Sequence, residues 1–327
     1  MTTFITIFKQ VLCWVAAMYW LLLGLIYNHA FAQSAGTFKD ITFQFASIDE
    51  GRDFLTQEDD FTQSFSEFDL SARLHSMGKV TKAEFFDSVM AHITTFSEKE
   101  QNRISTILQN QPEILSALRV SVPDNKILFI KGVARHEEGA AYTRRNAVIL
   151  PEGMLKQNDK GLERLVYHEI WHVISRYNPD LKLKLYAILG FKPCEVVLPG
   201  NIANSMITNP DAVDYQFCYK TKMKEGGPKI TVVPLIFAAS PYDDPAGKKP
   251  FFAYIQSFPS LLNLENGQVL KPSEVKNYDA DFFGTAYFIH PEEISADHFS
   301  FIITGNGQSK NAKLTEKMKK MLMKYSK

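Results

Sequence analysis

Cysteine is scarce in this sequence and net charge is absent. Of three cysteines in 327 residues, none forms a Cys-x-x-Cys pair, which sets aside thiol–disulfide redox chemistry. Lys plus Arg number 36 and Asp plus Glu number 36, so the molecule has no positive field with which to neutralise phosphates or hold an anionic membrane. Nucleic acid is thereby excluded as a partner. No internal period and no low-complexity tract is present, which removes repeat architectures. What is there is an ordinary globular composition, 45% hydrophobic and 22% charged, in a chain long enough for one large domain or two modest ones.

The first residues differ from the rest. Lys9 precedes an almost uncharged apolar run from Val11 to Ile26, and Ala30-Phe31-Ala32 follows with the small-x-small pattern of a cleavage site. The expectation is a signal peptide over 1–32 and an exported chain, periplasmic or secreted. Left uncleaved, the same run would be a membrane anchor. Cys13 leaves with the signal, and the remaining pair, Cys194 and Cys218, is expected to form a disulfide in an oxidising compartment.

From 33 to 120 the pattern reads as a helical subdomain. Thr81 is placed to cap a helix carrying Phe85, Phe86, Val89, Met90 and Ile93 on one face, and Ser97 to Leu118 reads as helix broken near Pro112. The period then changes to that of strands at Lys126–Val133 and Ala147–Leu150, with Gly139 to Thr143 as a third piece between them. Further strands are expected at Ile230–Ala238 and Phe251–Phe258, separated by a loop at Ser240–Pro250. Leu314, Met318, Met321, Leu322 and Tyr325 share one face of a terminal helix.

The chemistry lies between these runs. Asn158 or Asp159 is expected to cap a helix that continues through His168-Glu169-Ile170-Trp171-His172 and stops at Asn178-Pro179. Two histidines four apart on a helix converge on a common point, where zinc accepts imidazole nitrogen, and the glutamate after the first lies beside the metal as a general base. Ser175 and Asn178 stand where a metzincin has its glycine and third histidine, so that class is excluded. No histidine occurs between His172 and His290, which turns the search for a third ligand to residues 287–299. Pro291 suits the first turn of a helix, and Glu293 and Asp297 then share a face. Glu293 is the candidate ligand and Asp297 the acceptor for a ligand histidine's free ring N–H. Glu292, Asp297 and His290 are the alternatives for the third position.

In these two segments the sequence resembles the gluzincin superfamily of zinc metallopeptidases, in which a His-Glu-x-x-His helix is completed by Glu-x-x-x-Asp on a later helix. The two segments lie farther apart here than in the best-known members. The resemblance implies an α+β, zincin-like domain over 121–327, with a mixed sheet packed on the histidine helix. It implies Zn2+ held by His168, His172 and Glu293, Asp297 behind them, and Glu169 as base for a zinc-bound water. An exported zinc-dependent hydrolase, a peptidase acting on protein or peptide, follows from it. Tyr287, ahead of His298 and Tyr142, is the expected donor to a developing oxyanion. Gly139, Ala140 and Ala141 are expected along an edge strand where extended substrate pairs. The alternative is a non-catalytic zinc-binding or peptide-binding envelope protein on the same fold.

Overall fold

Amphipathic runs that begin on a capping residue alternate with short apolar runs along this chain. The computed structural model, which describes residues 36–132, 135–307 and 309–326, folds them into an α+β arrangement with mixed sheets. The expected signal peptide, 1–32, lies outside the described residues, as does Cys13. No helix among the described residues is long and apolar enough to cross a membrane.

One sheet contains β1 (Thr42–Phe45), β2 (Lys126–Gly132), β3 (Tyr142–Arg144) and β4 (Ala147–Pro151), in the order β1-β2-β4-β3. β1, β2 and β4 run parallel, with Thr42 opposite Lys126 and Leu128 opposite Ala147. β3 folds back antiparallel at the edge, with Tyr142 opposite Ile149. Every residue of β4 is buried, which explains a continuous apolar run where a half-exposed strand would alternate.

Parallel strands need a long crossover, and helices supply it between β1 and β2, four of them eight residues or longer. These are α1 (Ile48–Leu55), α2 (Glu67–Leu74), α3 (Lys82–Ala91) and α4 (Glu98–Gln109). Their N-caps Ser47, Ser66, Thr81 and Ser97 each close a capping box with an acid at the third helical position. The expectation of a separate helical subdomain over 33–120 is therefore corrected. β1 belongs to the main sheet, Ile104 and Leu108 share one core with Trp171, and Thr37–Lys327 is one compact unit.

The histidine helix is α5 (Asp159–Tyr177), capped by Asn158, whose Oδ1 accepts the Gly161 N–H at 2.9 Å. It stops where Pro179 starts α6 (Pro179–Leu189). α7 (Pro291–Thr304) packs along α5, the rings of Trp171 and Phe299 5.2 Å apart and both fully buried. α8 (Ala312–Lys324) docks through Leu314, Met318 and Leu322, as its sequence pattern predicts.

The second sheet is antiparallel: β5 (Phe191–Pro193), β6 (Phe217–Lys222), β7 (Lys229–Leu235), β8 (Ser260–Asn263) and β9 (Val269–Leu270), in chain order. The strand expected at Phe251–Phe258 is absent. Phe251–Tyr254 form a 3-10 turn instead, and Phe251 and Tyr254, three apart, both bury against Phe68 and Ala72. A strand would turn them to opposite faces.

Cys194 and Cys218 form a disulfide, Cα atoms 5.8 Å apart, between the end of β5 and β6. It spans a sequence separation of 24, and chain entropy assigns such a loop roughly 3 kcal/mol. Denaturant unfolding of a Cys194→Ser, Cys218→Ser double variant should show a loss near that size. An unchanged midpoint would contradict it.

Candidate metal centre

The centre is built where α5 and α7 face each other. His168 and His172 lie one turn apart on α5, and Pro291 starts α7 so that Glu292, Glu293 and Asp297 are presented to them. Glu293 Oε2 lies 3.2 Å from His168 Nε2 and 3.5 Å from His172 Nε2. Donor atoms of His168, His172 and Glu293 all fall within 4.8 Å of one another.

The other ring nitrogens are each held by a carboxylate. His168 Nδ1 is 3.1 Å from Asp297 Oδ1, and His172 Nδ1 is 3.0 Å from Glu292 Oε1. These acceptors are themselves fixed: Thr285 donates to Asp297, while Ser175 and Tyr186 donate to Glu292. Glu293 is fixed through its second oxygen, with Asn209 Nδ2 donating to Oε1 at 2.5 Å.

This arrangement has an electrostatic consequence. A neutral imidazole that donates its Nδ1 proton to a carboxylate carries a lone pair on Nε2. Two such lone pairs then converge on an anionic oxygen, and His172 Nε2 is buried without a hydrogen-bond partner. Repulsion of that kind calls for a cation at the centre, either protons on the rings or a metal ion. Nitrogen and carboxylate donors of this type suit zinc, so the residues fit the metal that the sequence motif implies. Without metal, protons take that place. Burial opposes a charged His168, but hydrogen bonds with Asp297 and Glu293 outweigh it and raise its pKa to about 10. Against the same burial, the two imidazoles hold Glu293 well below the usual carboxylate range.

Glu169 occupies the position beside the convergence point. It is 3% exposed, and its Oε2 has no hydrogen-bond partner. Burial and the neighbouring Asp211 carboxylate push it up to about 8. Asp211, with Glu169 and His172, forms a second group whose donor atoms lie within 4.8 Å of one another. Asp211 Oδ1 accepts from both the N–H and the hydroxyl of Thr143, each at 2.6 Å. Arg176 of α5 ties this loop to the helix, donating to Thr143 Oγ1 and to the Pro210 carbonyl.

A cleft of about 660 Å³ opens over these groups, lined by Ala140, Ala141, His168, Glu169 and Tyr287 among others. The Tyr287 ring is 6.2 Å from that of His168, and the residue is 38% exposed. Desolvation by the surrounding atoms, with Glu293 and Asp211 nearby, raises its pKa well above the ordinary phenol value.

Other expectations are corrected. β3 begins at Tyr142, so Gly139, Ala140 and Ala141 precede the edge strand, and Gly139 turns the chain at φ 88. At Thr143 the outer edge is already occupied by Asp211. His298 is turned away, bonded to the Phe283 carbonyl at 2.7 Å and to Thr315 at 2.9 Å. Tyr142 packs into the apolar cluster with Phe85 and Ile149. His290 caps α7, accepting the Glu292 N–H at 3.1 Å, and its Nε2 is bonded to the Asp214 carbonyl at 2.9 Å. It therefore has no nitrogen left for a metal.

Glu292, weighed as a ligand, instead backs His172 as Asp297 backs His168. Groups so placed set ring orientation and basicity, and removing one typically costs about 10–100-fold in metal affinity. Zinc titration against a competing chelator should show a loss of that order for Glu292→Gln, whereas unaltered affinity would leave Glu292 without this role. Comparison with protein-family models, curated proteins and solved structures gives no match.

Proposed function

We propose that the protein is an exported zinc-dependent hydrolase, a peptidase on a zincin-like fold related in plan to the gluzincins. The observation that carries this reading is the approach of both Nε2 atoms to one Glu293 oxygen while both Nδ1 atoms are held by carboxylates. Its support in the fold is a mixed sheet with an antiparallel edge strand next to the histidine helix. The Cys194–Cys218 disulfide supports an oxidising compartment and hence export.

His168, His172 and Glu293 would hold the metal, with Asp297, Glu292 and Asn209 fixing their orientation. Bound there, zinc supplies Lewis acidity, polarising a carbonyl oxygen and acidifying water. Glu169 acts as the base. Its Oε2, buried and without a partner, takes the proton from the attacking water and returns it to the leaving nitrogen. Burial raises the Glu169 pKa in the metal-free chain, and a cation bound beside it would favour the ionised form that a general base needs. Tyr287 stands at the wall of the cleft, and its hydroxyl is the group available to donate to the developing oxyanion.

The test is direct. Protein loaded with zinc should cleave members of a mixed peptide library, lose that activity to a chelator, and regain it when zinc is restored. Zinc-replete protein that leaves the whole library intact would overturn the catalytic reading and favour a binding role for the same site.

A further inference from the structure

The four-residue spacing on α5 extends beyond its two histidines. Lys160, Arg164, His168 and His172 follow one another at steps of four, so they share a face, each about 6 Å farther along the axis. Lys160 and Arg164 line the same cleft as His168, Glu169 and Glu293. Both cations are exposed, and neither forms a salt bridge with a carboxylate among the described residues, although Asp297 is near enough for the Arg164 charge to lower its pKa. The Arg164 guanidinium carbon lies 5.3 Å over the Phe301 ring, a contact that steadies the group without using its N–H donors. Gly307, at φ 89, turns the following loop against it, where an added Cβ would lie 3.6 Å from Arg164 Nη1. The cleft is thus basic along one arm, while Glu169, Asp211, Glu293 and Asp297 make its other lining acidic.

We infer that Arg164, with Lys160 one turn beyond, binds a carboxylate of the peptide substrate. This rests on the peptidase reading above and adds a substrate class to it. A guanidinium matches a carboxylate with two parallel N–H donors. Its place in the same cleft, on the turn before His168, puts the bound carboxylate beyond the scissile bond towards the start of α5. Two sources share that chemistry: the C-terminal α-carboxylate of a short peptide, and an acidic side chain near the bond.

Zinc-loaded Glu169→Gln protein, which should hold peptides without cutting them, separates these sources by fluorescence anisotropy. One pair of labelled peptides differs only in a free or amidated C-terminus. A second, amidated pair differs only in Glu or Gln at the second residue from the C-terminus. The charged member of at least one pair is expected to bind about 10- to 100-fold more tightly, and that pair identifies the source. Arg164→Gln in the same background should abolish the preference, and Arg164→Lys should keep part of it. Thermal melts of both variants check that the exposed substitutions leave the fold intact. Equal affinity within both pairs, or a preference that survives Arg164→Gln, overturns the carboxylate subsite and leaves the peptidase reading standing. Failure of every peptide to bind overturns both.

Discussion

Replacing Glu169 with Gln is expected to reduce peptide hydrolysis by about 10²–10⁴-fold while zinc content stays at the wild-type level. The two readouts separate because Glu169 lies outside the proposed ligand set of His168, His172 and Glu293. Its Oε2 has no hydrogen-bond partner, so an amide of the same shape breaks no existing contact. The amide does remove the carboxylate proposed to accept and return the proton. The nearby Asp211 carboxylate, which helps to raise the Glu169 pKa, is held by Thr143 and stays in place. Turnover measured beside elemental analysis of the same preparation decides the matter. Full activity in this variant would remove Glu169 from the mechanism.

The second large effect concerns Glu293. Its Oε2 is the anionic atom that both Nε2 nitrogens approach, so Glu293→Gln removes the only formal charge of the proposed ligand set. Zinc affinity should fall by more than the roughly 100-fold upper range for groups that merely orient a ligand. Stability follows affinity by mass action. At free zinc about 1,000 times its dissociation constant, the wild-type chain gains about 4 kcal/mol against unfolding, and chelation should remove that gain. In the variant the same zinc concentration should add little. Lower pH should also weaken binding, because ligands must lose their protons. With His168 raised to about 10 in the metal-free chain, zinc binding at pH 7 releases its proton, and affinity declines as pH falls. Calorimetry in buffers of different ionisation enthalpy counts the protons released. Equal zinc affinity in wild-type and Glu293→Gln protein would exclude Glu293 as a ligand.

Local chemistry made much of this site legible in the sequence. Asn158 and Pro179 bound α5, and Pro291 places Glu293 and Asp297 on one face of α7, because capping and proline geometry act over a few residues. The partners of those side chains were less accessible. Tyr186 reaches Glu292 across a separation of 106 residues, and Asn209 reaches Glu293 across 84. Neither lies in a motif, and only the packing of α6 and the loop at 209–211 against α7 brings them there. The misread strand at Phe251–Phe258 has a similar cause. Its aromatic residues raise strand propensity, but burial of Phe251 and Tyr254 against α2 selects the turn. Integration of 33–120 into the main fold was hidden because the pairing of β1 with β2 is non-local.

The central claim is that His168, His172 and Glu293 meet at one zinc ion, and X-ray absorption at the zinc edge of the loaded protein tests it most directly. Nitrogen and oxygen scatterers are expected at about 2.0–2.2 Å with the outer-shell pattern of two imidazoles, one of which disappears in His172→Ala. A sulfur shell, or a spectrum without imidazole scattering, would contradict it.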